Sequence, residues 1–163
     1  MGNGQKAIYA GTFDPITNGH LDIIERARIH FPSIVVAVSQ NPSKSPVFNL
    51  EERVALVKEV VAGLEGVEVD SFDGLLVDYV RRKGARVLVK GLRAVTDFDY
   101  ELQMAQMNHK LAEVETMFMV ATPAYSFLSS SLVKEVARFG GDVDEFVPVE
   151  VARKLKERFR GEA

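Results

Sequence analysis

The residues with the strongest chemical character sit in one ten-residue string, G-T-F-D-P-I-T-N-G-H, from Gly11 to His20. It follows the apolar run Ala7–Ala10 and precedes an amphipathic stretch, so it reads as a turn from a strand into a helix. Gly11 lets the backbone approach a ligand closely, and Thr12 offers a hydroxyl at the strand end. Asp14-Pro15 makes the turn. Asn18-Gly19 opens a helix whose first turn holds His20. Backbone N–H groups and the positive end of the helix dipole there would face an anion, with His20 as an added donor. The string is neither a G-x-x-x-x-G-K-[ST] phosphate loop nor a G-x-G-x-x-G dinucleotide fingerprint. P-loop nucleotide hydrolases and nicotinamide-dependent dehydrogenases therefore drop away.

Three further groups share this phosphate-binding character. Lys90-Gly91-Leu92-Arg93 follows a buried run, Val87–Val89, and flanks a glycine with two cations. Arg93 can fork onto phosphate oxygens while Lys90 supplies a point charge. Tyr125-Ser126-Phe127-Leu128-Ser129-Ser130-Ser131 leads into a helix whose serines offer hydroxyls and free N–H groups. Taken alone, those serines are more ordinarily simple helix caps. Lys44 stands in the loop N-P-S-K-S-P, where a lone lysine is ordinarily just solvated.

Elements able to bring these groups together are legible in the hydrophobic pattern. Ala7–Ala10, Ile34–Val38, Val67–Phe72, Val87–Val89 and Met117–Ala121 read as buried strands. Helical stretches alternate with them: one with Ile24, Ala27 and Phe31, and one opening at Asn49 with Glu52 as cap partner and burying Leu50, Val54, Val57 and Val61. Others run Leu75–Lys83, Phe98–Val114, Ser129–Phe139 and Val149–Phe159. This alternation predicts one doubly wound α/β domain over residues 1–163, a five-stranded parallel sheet ordered 3-2-1-4-5 with helices on both faces. Ligands bind such sheets beyond the carboxyl ends of the strands, where strand order reverses. That crevice lies between the first and fourth strands, where the Gly11–His20 and Lys90–Arg93 loops meet.

Composition narrows the class. The 163 residues are 47% hydrophobic and 26% charged, ordinary for a globular domain. With no cysteine, disulfides, thiolate metal sites and cysteine nucleophiles are excluded. A net charge of −3 argues against binding nucleic acid or anionic membranes by bulk attraction. The longest uncharged run, the 18 residues Thr116–Val133, is broken by Pro123 and by several serines and threonines, so it predicts no membrane span. No leader is evident in M-G-N-G-Q-K, and Lys6 stands where myristoylation needs Ser or Thr. A cytoplasmic protein is expected.

Taken together, G-T-F-D-P-I-T-N-G-H, K-G-L-R, D-Y-E and S-F-L-S-S-S-L-V-K-E resemble the bacterial phosphopantetheine adenylyltransferases of the nucleotidylyltransferase superfamily. The resemblance runs from Lys6 to the final helix and implies a Rossmann-like fold. Thr17 to His20 is the T-x-G-H form of the superfamily H-x-G-H motif. The resemblance implies transfer of AMP from ATP to 4′-phosphopantetheine with Mg²⁺, giving dephospho-coenzyme A and pyrophosphate. It implies that Thr12 touches both substrates and that His20 and Phe13 lie against ATP. Lys44 and Lys90 would hold the phosphopantetheine phosphate, with Leu76 beside the pantetheine arm. Gly91, Leu92, Arg93, Glu101 and Tyr125 to Ser131 (Tyr125, Ser126, Phe127, Leu128, Ser129, Ser130, Ser131) would bind ATP. His20, Thr12, Lys44 and Arg93 carry catalysis on this reading, with no protein metal ligand. It also implies a homo-hexamer built as a dimer of trimers, and feedback by coenzyme A. Two departures stand out: lysine at position 90 where many members have arginine, and Ser131 and Lys134 within the superfamily string I-S-S-T-x-x-R.

The chemistry expected is simple. The acceptor phosphate has a second pKa of roughly 6, so its oxygen attacks without a general base. Catalysis is then positioning and charge stabilisation, with His20 as a donor and no covalent intermediate. An adenylyltransferase for nicotinamide mononucleotide could share the T-x-G-H loop. A phospho-receiver domain has similar length but needs clustered acids after its first strand and an Asp after its third.

For assembly, Phe98, Leu102 and Ala105 are assigned to the sheet side of the helix 98–114. Tyr100, Met104, Met107 and Leu111 form a second apolar stripe, expected at a subunit contact.

Overall fold

Alternating residues of the central strands feed two separate cores. In strand β1 (Lys6–Gly11), Ala7 and Tyr9 join one core, and Ile8 and Ala10 the other. Strand β2 (Ser33–Ser39) divides in the same way, Ile34, Val36 and Val38 against Val35 and Ala37. A strand buried on both sides needs helices on both, which is what near-continuous Val/Ile runs imply. The computed structural model describes residues 5–40 and 45–160, with only the backbone described at 95–97.

Strands β3 (Val67–Phe72), β4 (Val87–Leu92) and β5 (Glu115–Val120) complete a parallel sheet in the order 3-2-1-4-5. Helices α1 (Asn18–Ala27), α2 (Leu50–Val61), α5 (Ser130–Arg138) and α6 (Val149–Phe159) supply the first core with Ile24, Val57, Val133 and Leu155. Helix α3 (Leu76–Arg82) covers the other face with Val77, Tyr79 and Val80. The predicted order and the two-sided packing are both observed, but β3 and β5, expected to be buried, lie at the sheet edges and are largely half-covered or exposed.

Element ends move for local reasons. Strand β4 runs on to Leu92 and β5 begins at Glu115, because their parallel pairing continues from Val87↔Glu115 to Leu92↔Val120. Helix α2 has the expected cap: Asn49 Oδ1 accepts from the Glu52 amide at 2.9 Å, and Glu52 Oε2 accepts from the Asn49 amide at 2.9 Å. Its buried stripe is Arg53, Leu56, Val57 and Val61, whereas Leu50 and Val54 are only partly covered. The helix is rotated toward Arg53, whose guanidinium is drawn inward by three backbone carbonyls.

Helix α4 (Val95–Ala112) departs most from expectation. Phe98 and Leu102, assigned to the sheet, are 40% and 36% exposed. The residues turned inward are Glu101, Ala105, Asn108 and Ala112, at i, i+4, i+7 and i+11. This small and polar inward face packs against α3 and the edge strand β5. Phe98 touches the sheet only edge-on, its ring 6.1 Å from that of Phe118. The second stripe, Tyr100, Met104, Met107 and Leu111, is exposed as expected.

Candidate active site

A crevice opens where β1 and β4 part. They pair from Ala7↔Val87 to Tyr9↔Val89 and no further. Beyond that point β1 continues with β2 to Gly11↔Val38, and β4 continues with β5 to Leu92↔Val120. The two strand ends are thus pulled toward opposite sides of the sheet, as the reversal of strand order requires. Between them lies a cavity of about 490 Å³. Its walls come from the loops after β1 and β4 and from the start of α5. A side chain at Gly91 would press on Ile23 of α1 at 3.3 Å, so glycine keeps this wall thin.

His20 is held from behind. Thr17 caps α1, its Oγ1 accepting from the His20 amide at 3.4 Å, while the Thr17 amide donates to His20 Nδ1 at 3.0 Å. Because Nδ1 accepts, the neutral ring carries its proton on Nε2. Burial and then the Arg93 guanidinium push the His20 pKa down to about 4. The imidazole is therefore neutral at physiological pH, a donor through Nε2–H rather than a cation. The ring packs edge-on against Phe13 at 5.1 Å and lies 6.5 Å from Tyr9, which has a strongly raised pKa because it is buried. Phe13 holds a left-handed backbone, φ 47°, that its buried ring sustains.

Cations line the opposite walls. Lys90 Nζ lies 3.6 Å from Glu101 Oε2, joining the end of β4 to α4. Arg93 Nη1 donates to the Leu128 carbonyl at 2.9 Å, which ties the β4 loop to the segment before α5. Ser129 caps α5, accepting from the Leu132 amide at 3.1 Å, and Ser130 Oγ donates to the Pro15 carbonyl at 2.8 Å. The serines thus cap the helix and also tie it to the β1 loop. Beneath them Asp14 is 3% exposed and fully engaged. It accepts from the Val47 and Phe48 amides at 3.0 and 2.9 Å and from Lys134 Nζ at 2.7 Å.

Most residues expected at the site meet in this cavity. Thr12, Phe13 and His20 come from the β1 loop, and Lys90, Gly91 and Arg93 from the β4 loop. Glu101, Tyr125, Leu128 and Ser129 to Ser131 complete the set. Leu92, Ser126, Phe127 and Leu76 are not brought to its walls. Leu92 ends the β4–β5 pairing, Ser126 Oγ turns to the Pro123 carbonyl at 3.1 Å, and Phe127 packs edge-on against Phe146. Leu76 packs instead against the core on the α3 side of the sheet. Lys44 lies outside the described residues.

Sequence reasoning did not place several lining residues at the site, among them Tyr9, Ile23, Ser45 and Pro46, and it missed the part played by three polar ones. Thr17 counted as a motif letter, Asp14 as a turn former, and Lys134 as a departure from a pattern; each is a buried or half-buried partner in the site. The signal available was the single acid between Phe13 and Pro15, which no loop of that polarity needs unless cations or amides meet it.

Comparison with known proteins places this geometry. A family model for cytidylyltransferase-like proteins matches residues 8–136, which carry the sheet, the cavity loops and most of α5. The chain therefore belongs to the cytidylyltransferase-like family of nucleotidyltransferases. The phosphopantetheine adenylyltransferase of Alkaliphilus metalliredigens is 58% identical over 152 residues, 93% of this chain and 97% of that protein. Those of Clostridium perfringens strain SM101 and Caldanaerobacter subterraneus are 55% and 54% identical, covering 95% and 94% of this chain and 97% of each relative. Within the family the chain belongs with the phosphopantetheine adenylyltransferases. A solved structure from Vibrio parahaemolyticus, provisionally assigned as a nicotinate-nucleotide adenylyltransferase, superposes with a TM-score of 0.69. It is 18% identical over 96% of both chains, a likeness of fold.

Proposed function

We propose that this chain transfers AMP from ATP to 4′-phosphopantetheine, releasing pyrophosphate and leaving dephospho-coenzyme A. The observation that carries the reading is the neutral His20, held by Thr17 with Nε2–H as its donor, on one wall of a cavity whose other walls carry Lys90, Arg93 and the α5 N-terminus. Two polyanions must meet for in-line attack at the α-phosphorus, so the site must supply positive potential rather than a base.

Each residue then has a part. The acceptor phosphate, largely ionised near neutral pH, attacks through its own oxygen. His20 donates to a non-bridging oxygen where charge develops, and its depressed pKa keeps it from competing as a base. Lys90, with Lys44, takes the acceptor phosphate; Arg93 and the amides opening α5 take the triphosphate. Thr12, at the end of β1, lies between the two. Proton transfer through the protein is not needed, and the adenylyl group passes directly to the acceptor without residing on a group of the chain.

Magnesium fits this donor set as an ion carried by the nucleotide. Among the described residues no three His, Asp or Glu side chains converge. Of the cavity carboxylates Asp14 has three donors already and Glu101 faces Lys90 at 3.6 Å, so the nucleotide phosphates and water would hold the ion. When bound, the ion would neutralise phosphate charge.

We also read the enzyme as a cytoplasmic homo-hexamer that binds no nucleic acid, with coenzyme A, which contains the product's framework, as a feedback ligand of the same cavity. No described helix is long and apolar enough to cross a membrane. The exposed stripe on α4 supports a subunit contact there. Pyrophosphate release from ATP, measured with 4′-phosphopantetheine and with nicotinamide and nicotinate mononucleotides, tests the function. Turnover with a mononucleotide and none with phosphopantetheine would overturn it.

A further inference from the structure

Arg53 is an arginine 3% exposed, and it spends its donors on carbonyl oxygens. Nε reaches the Phe48 carbonyl at 3.1 Å, while Nη1 reaches those of Thr12 at 2.7 Å and Ser39 at 2.8 Å. Ser39 ends β2, Phe48 leads into α2, and Thr12 opens the loop after β1. One planar group thus closes the connection between β2 and α2 at its base and pins it to the loop that carries Thr12 and His20. Asp14 makes the matching tie from the other side, accepting the Val47 and Phe48 amides. Within that connection Ser45 and Pro46 line the cavity.

We propose that Arg53 is a positioning residue for the acceptor side of the site, setting Ser45–Phe48 against Thr12. The proposal rests on reading the cavity as a site of adenylyl transfer to phosphopantetheine. Its effect is one-sided because the two walls are anchored differently. On the nucleotide wall, α5 is tied down without Arg53, by Ser130 to Pro15 and by Lys134 to Asp14. The β2–α2 connection has Arg53 and Asp14 inside. Among the described residues its tie from the solvent side is Arg158, which donates to the Val47 carbonyl at 2.7 Å in an exposed position where water competes. Lysine cannot stand in for Arg53, since one ammonium does not match three carbonyls spread around a planar fork.

The test uses Arg53→Lys and Arg53→Gln in the full-length protein, each checked for a cooperative melt, with Arg158→Ala as the surface control. The expected result is a KM for phosphopantetheine raised by about 10-fold or more, with ATP affinity in equilibrium dialysis kept within about twofold. Arg158→Ala should move neither by more than about twofold. Hydrogen exchange at the Val47 and Phe48 amides should quicken at least about 10-fold in Arg53→Lys while α5 amides keep their rates. If Arg53→Gln fails to fold, Arg53→Lys carries the same comparison. Both affinities falling together, neither falling, or unchanged exchange at 47–48 would overturn the role given to Arg53. A wild-type protein inactive with phosphopantetheine would instead overturn the functional reading, and the exchange comparison would still judge the tie.

Discussion

The Thr17 amide donates to His20 Nδ1 at 3.0 Å, closing a reciprocal cap in which threonine and histidine satisfy each other's backbone. A capping interaction ordinarily ends a helix. Here it also selects a tautomer, so helix geometry and catalytic chemistry depend on the same two residues. The first letter of T-x-G-H therefore sets the state of the last.

From this follows the effect of deleting the ring. His20→Ala should lower kcat by about 10²–10³-fold with a much smaller change in ATP affinity, because the donor counts most where charge develops. Single-turnover rates beside equilibrium ATP binding check the split. Near-normal turnover would remove His20 from the reacting phosphate.

Acid stability carries a second signature. His20 titrates near 4 in the folded chain and near 6.5 when unfolded, so between those values the unfolded chain binds the additional proton. Stability from this group is whole above about pH 6.5 and declines as pH falls toward 4. His20→Gln should lack that decline. Relative to wild type its melting temperature should gain at least about 3 °C between pH 7 and pH 5, measured by calorimetry. A constant difference across that range would contradict the depressed pKa.

Division of labour among the cations is open to kinetics. Lys90→Ala and Lys44→Ala should raise KM for phosphopantetheine by roughly 10- to 150-fold, the value of one charge-assisted hydrogen bond. Arg93→Ala should act on ATP to a similar degree, and it also releases the Leu128 carbonyl that Arg93 holds. Lys90→Arg should be tolerated, since arginine keeps the charge and adds a fork. Equal effects of all three truncations on both substrates would end this assignment.

Assembly can be probed on α4. Met104 and Met107 are 37% and 55% exposed on the stripe with Tyr100 and Leu111. Met104→Glu with Met107→Glu should shift light scattering from a hexamer to smaller species at micromolar concentration. A wild-type monomer would refute the assembly, and a hexamer indifferent to the charges would put the contact elsewhere.

The strand order, the two-faced sheet and the meeting of the Gly11–His20 and Lys90–Arg93 loops were legible from residue pattern alone. The central strands β1 and β2, buried on both sides, are apolar nearly throughout, and the crevice follows from topology once β1 and β4 are neighbours. Asn49 and Glu52 were legible for a similar reason, since a capping box is a local contact three residues long. Helix α4 shows the limit of periodicity. Its apolar residues point outward, and its true inner stripe, Glu101, Ala105, Asn108 and Ala112, carries too little hydrophobicity to be seen.

What only tertiary structure decided are contacts between residues far apart in the chain. Asp14 meets Lys134 across 120 positions, and Arg53 gathers carbonyls of Thr12, Ser39 and Phe48. Sequence marks these residues as charged, and charged residues belong on the surface until something buried needs them. The pKa of His20 is of the same kind, because burial and Arg93 set it, and neither is a property of T-x-G-H. Residue types along the chain were enough to indicate the chemistry. Desolvation and long-range pairing, which exist only once the chain has closed on itself, decided which groups stay charged, which proton His20 holds and which walls are rigid.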